Sequence, residues 1–357
     1  MARPAYSYEE LSELIPRITA HSTTPVKVGD INPLIKQVLA KCPGSFIKNL
    51  GGHSAVLFII DGIVAKIPFK AGDLRFDHEQ NIFSMLDPAP SLHIVRTFLC
   101  RPEITFMQFI SNGTLKDRID EGDGNRPAIS WMHQLSSAVA YLESFGLAHG
   151  DMKPANILVN DQDQLKLVDL DHAKPIGSDV EVGDDPYVRV HKVGEPGGCY
   201  GVAGPETEHF ALGSVFWYIT RGTELYSELQ GHDVVNRLAD RQFPDTDPDD
   251  PIDNIILNFW LAKFERAVDL LYEIERVAEN ISGSEGIRAV KSMSDEKYLA
   301  KKELCEGFHN LLLEDGSDQA VEIATTASLD SANESAPLSL SGGGPHGTEI
   351  SLYLRSV

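Results

Sequence analysis

The spacing of apolar residues changes character once along this chain, and that change limits the folds open to it. Up to residue 110 the apolar residues come in short, β-rich runs. Residues 54–69 (SAVLFIIDGIVAKIPF) read as two strands joined at Asp61-Gly62, a strong hairpin signal. Ile94 to Leu99 and Ile104 to Ile110 are two more strand-length runs. Between them and the hairpin, a helical pattern from about Asp77 to Leu86 sets Glu79, Ile82, Phe83 and Leu86 at three- and four-residue spacing. Beyond residue 110 helices take over. Residues 129–147 place Trp131, Leu135, Val139 and Leu142 on one face, residues 209–220 are apolar almost all round, and residues 255–279 supply further helices. Two short β-runs, Ile157 to Val159 and Leu165 to Val168, interrupt them. Strands first and helices afterwards predict an α+β fold with a small antiparallel β lobe and a larger helical lobe.

A chain of 357 residues, 42% hydrophobic and 24% charged, has a globular composition and the length for one large two-lobed domain or two ordinary ones. No 20- to 50-residue repeat indicates a solenoid. The first 30 residues lack the pattern of a secretory signal, and no stretch approaches 18 uninterrupted apolar residues, so a cytoplasmic or nuclear protein without a membrane partner is expected. Cys42, Cys100, Cys199 and Cys305 form no C-x-x-C pair and read as free thiols. A formal net charge of −22 argues against a nucleic-acid partner, which needs a basic surface, and is compatible with solubility or with basic substrates. Residues 1–42 read as a polar leader, 43–310 as the folded domain, and 314–357, rich in Ser, Gly, Asp and Ala, as a disordered tail.

Chemistry concentrates in His149-Gly150-Asp151-Met152-Lys153-Pro154-Ala155-Asn156, where a carboxylate, an ammonium and an amide stand at short fixed offsets. Downstream, an apolar run ends in Asp169-Leu170-Asp171. These segments resemble the catalytic loop (H-R-D-x-K-x-x-N) and the D-F-G motif of protein kinases. The resemblance implies that Asp151 lies near the attacking hydroxyl, Lys153 near the transferred phosphate, and that Asn156 and Asp169 ligate Mg²⁺. It carries upstream as well. Val64-Ala65-Lys66 resembles the V-A-x-K strand, with Glu79 as the partner of Lys66, and Gly51 keeps the central glycine of the phosphate-covering loop. Met107-Gln108-Phe109 resembles the adenine-reading hinge. The nucleotide-binding set so implied is Lys66, Glu79, Gly51, Val56, Val64, Met107, Phe109 and Leu158.

The expected function is transfer of the γ-phosphoryl group of ATP, with Mg²⁺, to a Ser or Thr hydroxyl of a protein. The nucleotide is expected in a cleft between a small lobe, 44–110, and a helical lobe, 111–310. Gly204-Pro205-Glu206 resembles the A-P-E motif, although no arginine is evident near Trp260 to pair with Glu206, and Glu208 to Gly213 resembles D-x-W-S-L-G. In many protein kinases an arginine before the catalytic aspartate binds a phosphate on the activation segment. Gly150 cannot, and between Asp169 and Glu206 only Ser178, Tyr187 and Tyr200 carry hydroxyls, so activity without that phosphorylation is expected. Two alternatives stay open. His-Gly-Asp and the glycine-free Asp-Leu-Asp also fit aminoglycoside- or choline-type phosphotransferases, and the degenerate glycine loop fits a non-catalytic scaffold.

Overall fold

The computed structural model describes residues 8–20, 25–60, 62–122, 124–192, 198–280 and 286–314. Asp61 and the 315–357 portion of the expected tail lie outside these residues. The elements run α1 (Tyr8–Ile18), α2 (Pro33–Lys41), β1 (Phe46–Leu50), β2 (Ser54–Ile60), β3 (Ile63–Pro68), α3 (Leu74–Leu86), β4 (Thr97–Arg101) and β5 (Ile104–Gln108). There follow α4 (Leu115–Asp120), α5 (Ala128–Ser144), β6 (Leu147–Ala148), β7 (Ile157–Val159), β8 (Leu165–Leu167) and β9 (Lys174–Pro175). The chain then continues through α6 (Pro205–Arg221), α7 (His232–Ala239), α8 (Pro251–Trp260), α9 (Ala267–Asn280) and α10 (Asp295–Leu313). This is the expected α+β fold. The chain forms two compact units, Met1–Phe76 with Phe98–Phe109 and Ser294–Val357, and Asp77–Thr97 with Ile110–Met293, as far as these are described.

The first unit is built on a five-stranded sheet of order β1-β2-β3-β5-β4. Antiparallel register sets Lys66 of β3 opposite Val56 of β2 and Thr105 of β5, and Val64 opposite Phe58 and Met107. Because side chains alternate along a strand and opposed pairs share a face, Val56, Phe58, Val64, Lys66, Thr105 and Met107 line one face. The other carries Ala55, Leu57, Ala65, Ile67 and Phe106, all at most 1% exposed. Within residues 1–42 lie α1 and α2, which bury Leu11, Ile15, Ile35 and Val38 completely. Helix α2 starts where its sequence directs: Asn32 accepts a hydrogen bond from the Leu34 amide, and Pro33 occupies the first turn. Helix α10, begun by Ser294 bonding the Lys297 amide, packs against α2.

In the second unit, α5 buries Trp131, Leu135, Val139 and Leu142, the face its spacing predicts. Helix α6 is buried over most of its length and packs against α8. A Cβ at Gly213 of α6 would sit 2.9 Å from Phe259 Cβ and 3.0 Å from Trp260 Cδ1, so glycine permits the close approach of the two helices. One expected strand differs. The strand read from Ile94 begins at Thr97, because Ile94 forms a parallel bridge with Leu167 and the Val95 amide bonds the Leu167 carbonyl at 3.0 Å. Among the described residues no helix is long and apolar enough to cross a membrane.

Candidate active site

The loop from His149 to Asn156 leaves the short strand β6 and enters β7, and buried polar groups fix its course. Glu208, on the first turns of α6 and 3% exposed, accepts hydrogen bonds from the backbone amides of His149 (2.9 Å) and Gly150 (3.0 Å). A carboxylate receiving two amides is a strong, directional anchor. Next to it, the Asp151 amide donates to His149 Nδ1 at 3.2 Å. With Nδ1 accepting, the neutral imidazole carries its proton on Nε2, which lies 3.0 Å from the Val168 carbonyl and donates to it. His149, fully buried, thereby links the backbone at Asp151 to the residue before Asp169.

Asp151, Lys153 and Asn156 converge. Asn156 Nδ2 donates to Asp151 Oδ2 at 2.8 Å and to the Asp151 carbonyl at 2.9 Å, and Lys153 Nζ lies 3.0 Å from the same Oδ2. Both side-chain contacts fall on Oδ2, so Oδ1 is the oxygen left to face a hydroxyl. Burial works to lower the Lys153 pKa, but the neighbouring carboxylates of Asp151 and Asp184 outweigh it and raise the value, so the ammonium is charged at neutral pH. Spending its amide nitrogen on Asp151 leaves Asn156 its carbonyl oxygen for a cation.

Asp169 stands where β8 runs out. The Val168 amide bonds the Asn156 carbonyl at 3.0 Å, which sets Asp169 beside Asn156 along the β7–β8 hairpin. Its backbone is left-handed, φ 65° and ψ 65°, a conformation that costs energy for a residue with a side chain and that clusters at functional sites. An amide oxygen and a carboxylate are the hard donors that Mg²⁺ prefers, so the residues present fit the ion. Leu170 begins a 3₁₀ turn, is fully buried, and donates its amide to Glu79 Oε1 at 3.1 Å. Asp171, 7% exposed, has Oδ2 3.7 Å from His172 Nε2.

The remaining predicted residues are placed as follows. Lys66 and Val56, Val64 and Met107 share one face of the sheet in the first unit, with Lys66 6% exposed. Burying an ammonium is costly unless its charge is compensated. Phe109 follows β5, its amide bonded to the Gly62 carbonyl at 3.0 Å and its ring edge-on to Phe58 at 5.3 Å. Gly51 lies in the turn between β1 and β2, its amide bonded to the Ser54 carbonyl. Glu79, 1% exposed, is on α3, and Leu158 is half-buried on β7; both belong to the second unit.

Several features gave no sequence signal. Glu206 pairs with Arg189, which comes from the segment between Asp169 and Glu206 and not from the neighbourhood of Trp260. Asp184, in that same segment, lies 3.5 Å from Lys153 Nζ. A pocket beside Asp151 is lined by Val180, Val182, Asp184, Tyr187 and Val188 of the segment. Glu208 resembles the start of a family motif, but nothing in the sequence says that its carboxylate holds the loop.

The chain is also similar to known proteins. The family model described as the protein kinase domain matches residues 74–279. The chain is 27% identical to the probable serine/threonine-protein kinase FMP48 of Saccharomyces cerevisiae over 33% of its own length and 37% of that protein. To NUAK family SNF1-like kinase 1 of Homo sapiens it is 26% identical over 55% of this chain and 30% of the relative. Maternal embryonic leucine zipper kinase of Xenopus laevis is 37% identical over 24% of this chain and 13% of its own length. The chain thus spans well under half of each of these relatives. With a family match covering more than half of the sequence and enclosing the loop, the Asp169 turn and α6, this chain belongs to the protein kinase domain family.

Proposed function

We propose that this chain transfers the γ-phosphoryl group of ATP to a Ser or Thr hydroxyl of a protein substrate. The convergence of Asn156 and Lys153 on Asp151 Oδ2 carries this reading, because it orients a carboxylate with one oxygen to spare beside a fixed positive charge. Asp151 Oδ1 accepts the hydrogen bond of the incoming hydroxyl and aligns its lone pair for in-line attack. Lys153 balances negative charge on the transferred phosphoryl oxygens. Asn156 and Asp169 would hold Mg²⁺, which would neutralise charge on the phosphate oxygens. Lys66 supplies a further positive charge to the α- and β-phosphates, and the resemblance assigns Glu79, Val56, Val64, Met107, Phe109, Leu158 and the Gly51 turn to nucleotide binding. The relatives named as serine/threonine kinases, and Lys153 itself, favour a protein acceptor.

Radiolabelled ATP offered with a panel of proteins, aminoglycosides and choline tests this reading. Label on Ser or Thr of protein, lost in Asp151→Asn, is the expected result. Label confined to small molecules would replace the acceptor class, and no transfer at all would support a non-catalytic scaffold.

A further inference from the structure

Lys153 is held from two sides, by Asp151 of the catalytic loop at 3.0 Å and by Asp184 of the segment between Asp169 and Glu206 at 3.5 Å. Elsewhere that segment is held, within itself and to Glu206 and Glu224, by neutral and ionic contacts that need no phosphate. Lys174 Nζ donates to the Asp179 carbonyl at 2.8 Å, the Val180 amide to the Gly201 carbonyl at 2.9 Å, and the Ala203 amide to the Ser178 carbonyl at 2.7 Å. Past Asp184, the Tyr187 hydroxyl donates to Glu224 at 3.1 Å, and Arg189 pairs with Glu206. Tyr187 is 8% exposed, so its hydroxyl is committed to this bond and shielded from a modifying enzyme. The alternative anchor, a side chain at position 150 reaching a phosphate, is sterically closed. Gly150 has φ +77°, and a Cβ there would lie 2.4 Å from the His172 carbonyl oxygen.

We propose that Asp184 is a positioning residue, a fixed carboxylate that ties this segment to the catalytic loop through Lys153 and sets where the ammonium stands when phosphate arrives. The inference rests on the functional reading of Asp151 and Lys153 given above. Lys153 is largely enclosed, its side chain 23% exposed, whereas that of Asp184 is 52% exposed. A pair with one partner so exposed adds little to global stability. Its effect falls instead on the placement of a charge whose position matters within a fraction of an ångström. A covalently fixed carboxylate does this without any modifying enzyme.

The test compares wild type, Asp184→Asn and Asp184→Glu in the full chain, treated with phosphatase and shown by mass spectrometry to be bare between Asp169 and Glu206. Turnover is measured with Mg·ATP and histone as a generic acceptor, and amide hydrogen exchange is followed across residues 177–192. For Asp184→Asn the expected result is a roughly tenfold fall in kcat with KM for ATP within twofold, faster exchange around Asp184, and an unchanged unfolding midpoint. Asp184→Glu, which restores the charge, is expected to recover most of the turnover. Turnover of Asp184→Asn within twofold of wild type, exchange identical to wild type, or failure of Asp184→Glu to rescue would each overturn the proposal. Wild-type protein that neither binds Mg·ATP nor labels any acceptor would overturn the functional reading, and the positioning role with it. That outcome is distinct, because it appears in the wild type before any variant is compared.

Discussion

Gly150 shows how one residue constrains its surroundings. Its left-handed backbone and the 2.4 Å that would separate a Cβ from the His172 carbonyl act together. Gly150→Ala is expected to destabilise the protein by about 2 kcal/mol or more, from αL strain and overpacking. Chemical denaturation checks this, and a loss below about 0.5 kcal/mol would mean that the turn at His172 relaxes freely. The cysteines make a second case. Burial pushes the Cys42 and Cys305 thiols up to about 12 from the ordinary thiol value of 9.0. Being 2% and 0% exposed, they are expected to resist iodoacetamide at pH 8 in the native state, while exposed Cys199 is alkylated. A thiol whose folded pKa is raised contributes stability that is complete below pH 9 and is lost as pH climbs towards 12. Stability that rises across that window in wild type relative to Cys42→Ala would contradict the assignment.

At the scale of elements, the catalytic loop depends on α6, and α6 depends on α8. Replacing Glu208 by Gln turns one acceptor into an NH₂ facing a backbone amide. The expected cost is about 1.5–3 kcal/mol, with lost turnover, because two buried amides share that carboxylate. Gly213→Ala, which drives a methyl against Phe259 and Trp260, is expected to cost about 1–3 kcal/mol by forcing the helices apart. Thermal unfolding of the two variants measures both, and only Glu208→Gln should lose more activity than its stability explains. Strand β8 provides a pH test. Lys166, 8% exposed and bonded to the Leu92 carbonyl, has its pKa lowered to about 8 by burial from 10.5. The neutral form is thus favoured by folding, so wild type should gain stability relative to Lys166→Met as pH rises from 8 to 10.5.

The elements legible in the sequence were those whose apolar pattern acts alone. The α5 face and the β7–β8 hairpin follow from local spacing. Ile94 and Val95 did not, since their apolar run looks like strand while their bonds go to Leu167. The helices α1 and α2 each bury a narrow apolar face, too little to stand out within a polar stretch. Likewise the Asp151, Lys153 and Asn156 cluster was legible because its spacing is local, whereas Glu208, Asp184 and Arg189 reach their partners only through tertiary folding.

For the molecule as a whole, the sheet of the first unit and the loop-bearing helices of the second each bring a set of charged and apolar groups to one place. Lys66 is buried on a sheet face with Val56, Val64 and Met107, and Asp151 is flanked by Lys153 and Asn156. Phosphoryl transfer is the activity proposed for these groups. Asp169→Ala removes a half-buried carboxylate, and Lys66→Met removes an ammonium while keeping most of its volume, so both are expected to fold. The most direct measurement is phosphoryl transfer from γ-labelled Mg·ATP by wild type, Asp151→Asn, Asp169→Ala and Lys66→Met, each with its unfolding midpoint. Transfer by wild type is expected, with a fall of at least a hundredfold, about 2.7 kcal/mol of transition-state stabilisation, in all three variants at near-native stability. Transfer undiminished in Asp151→Asn or Asp169→Ala would contradict the proposed activity.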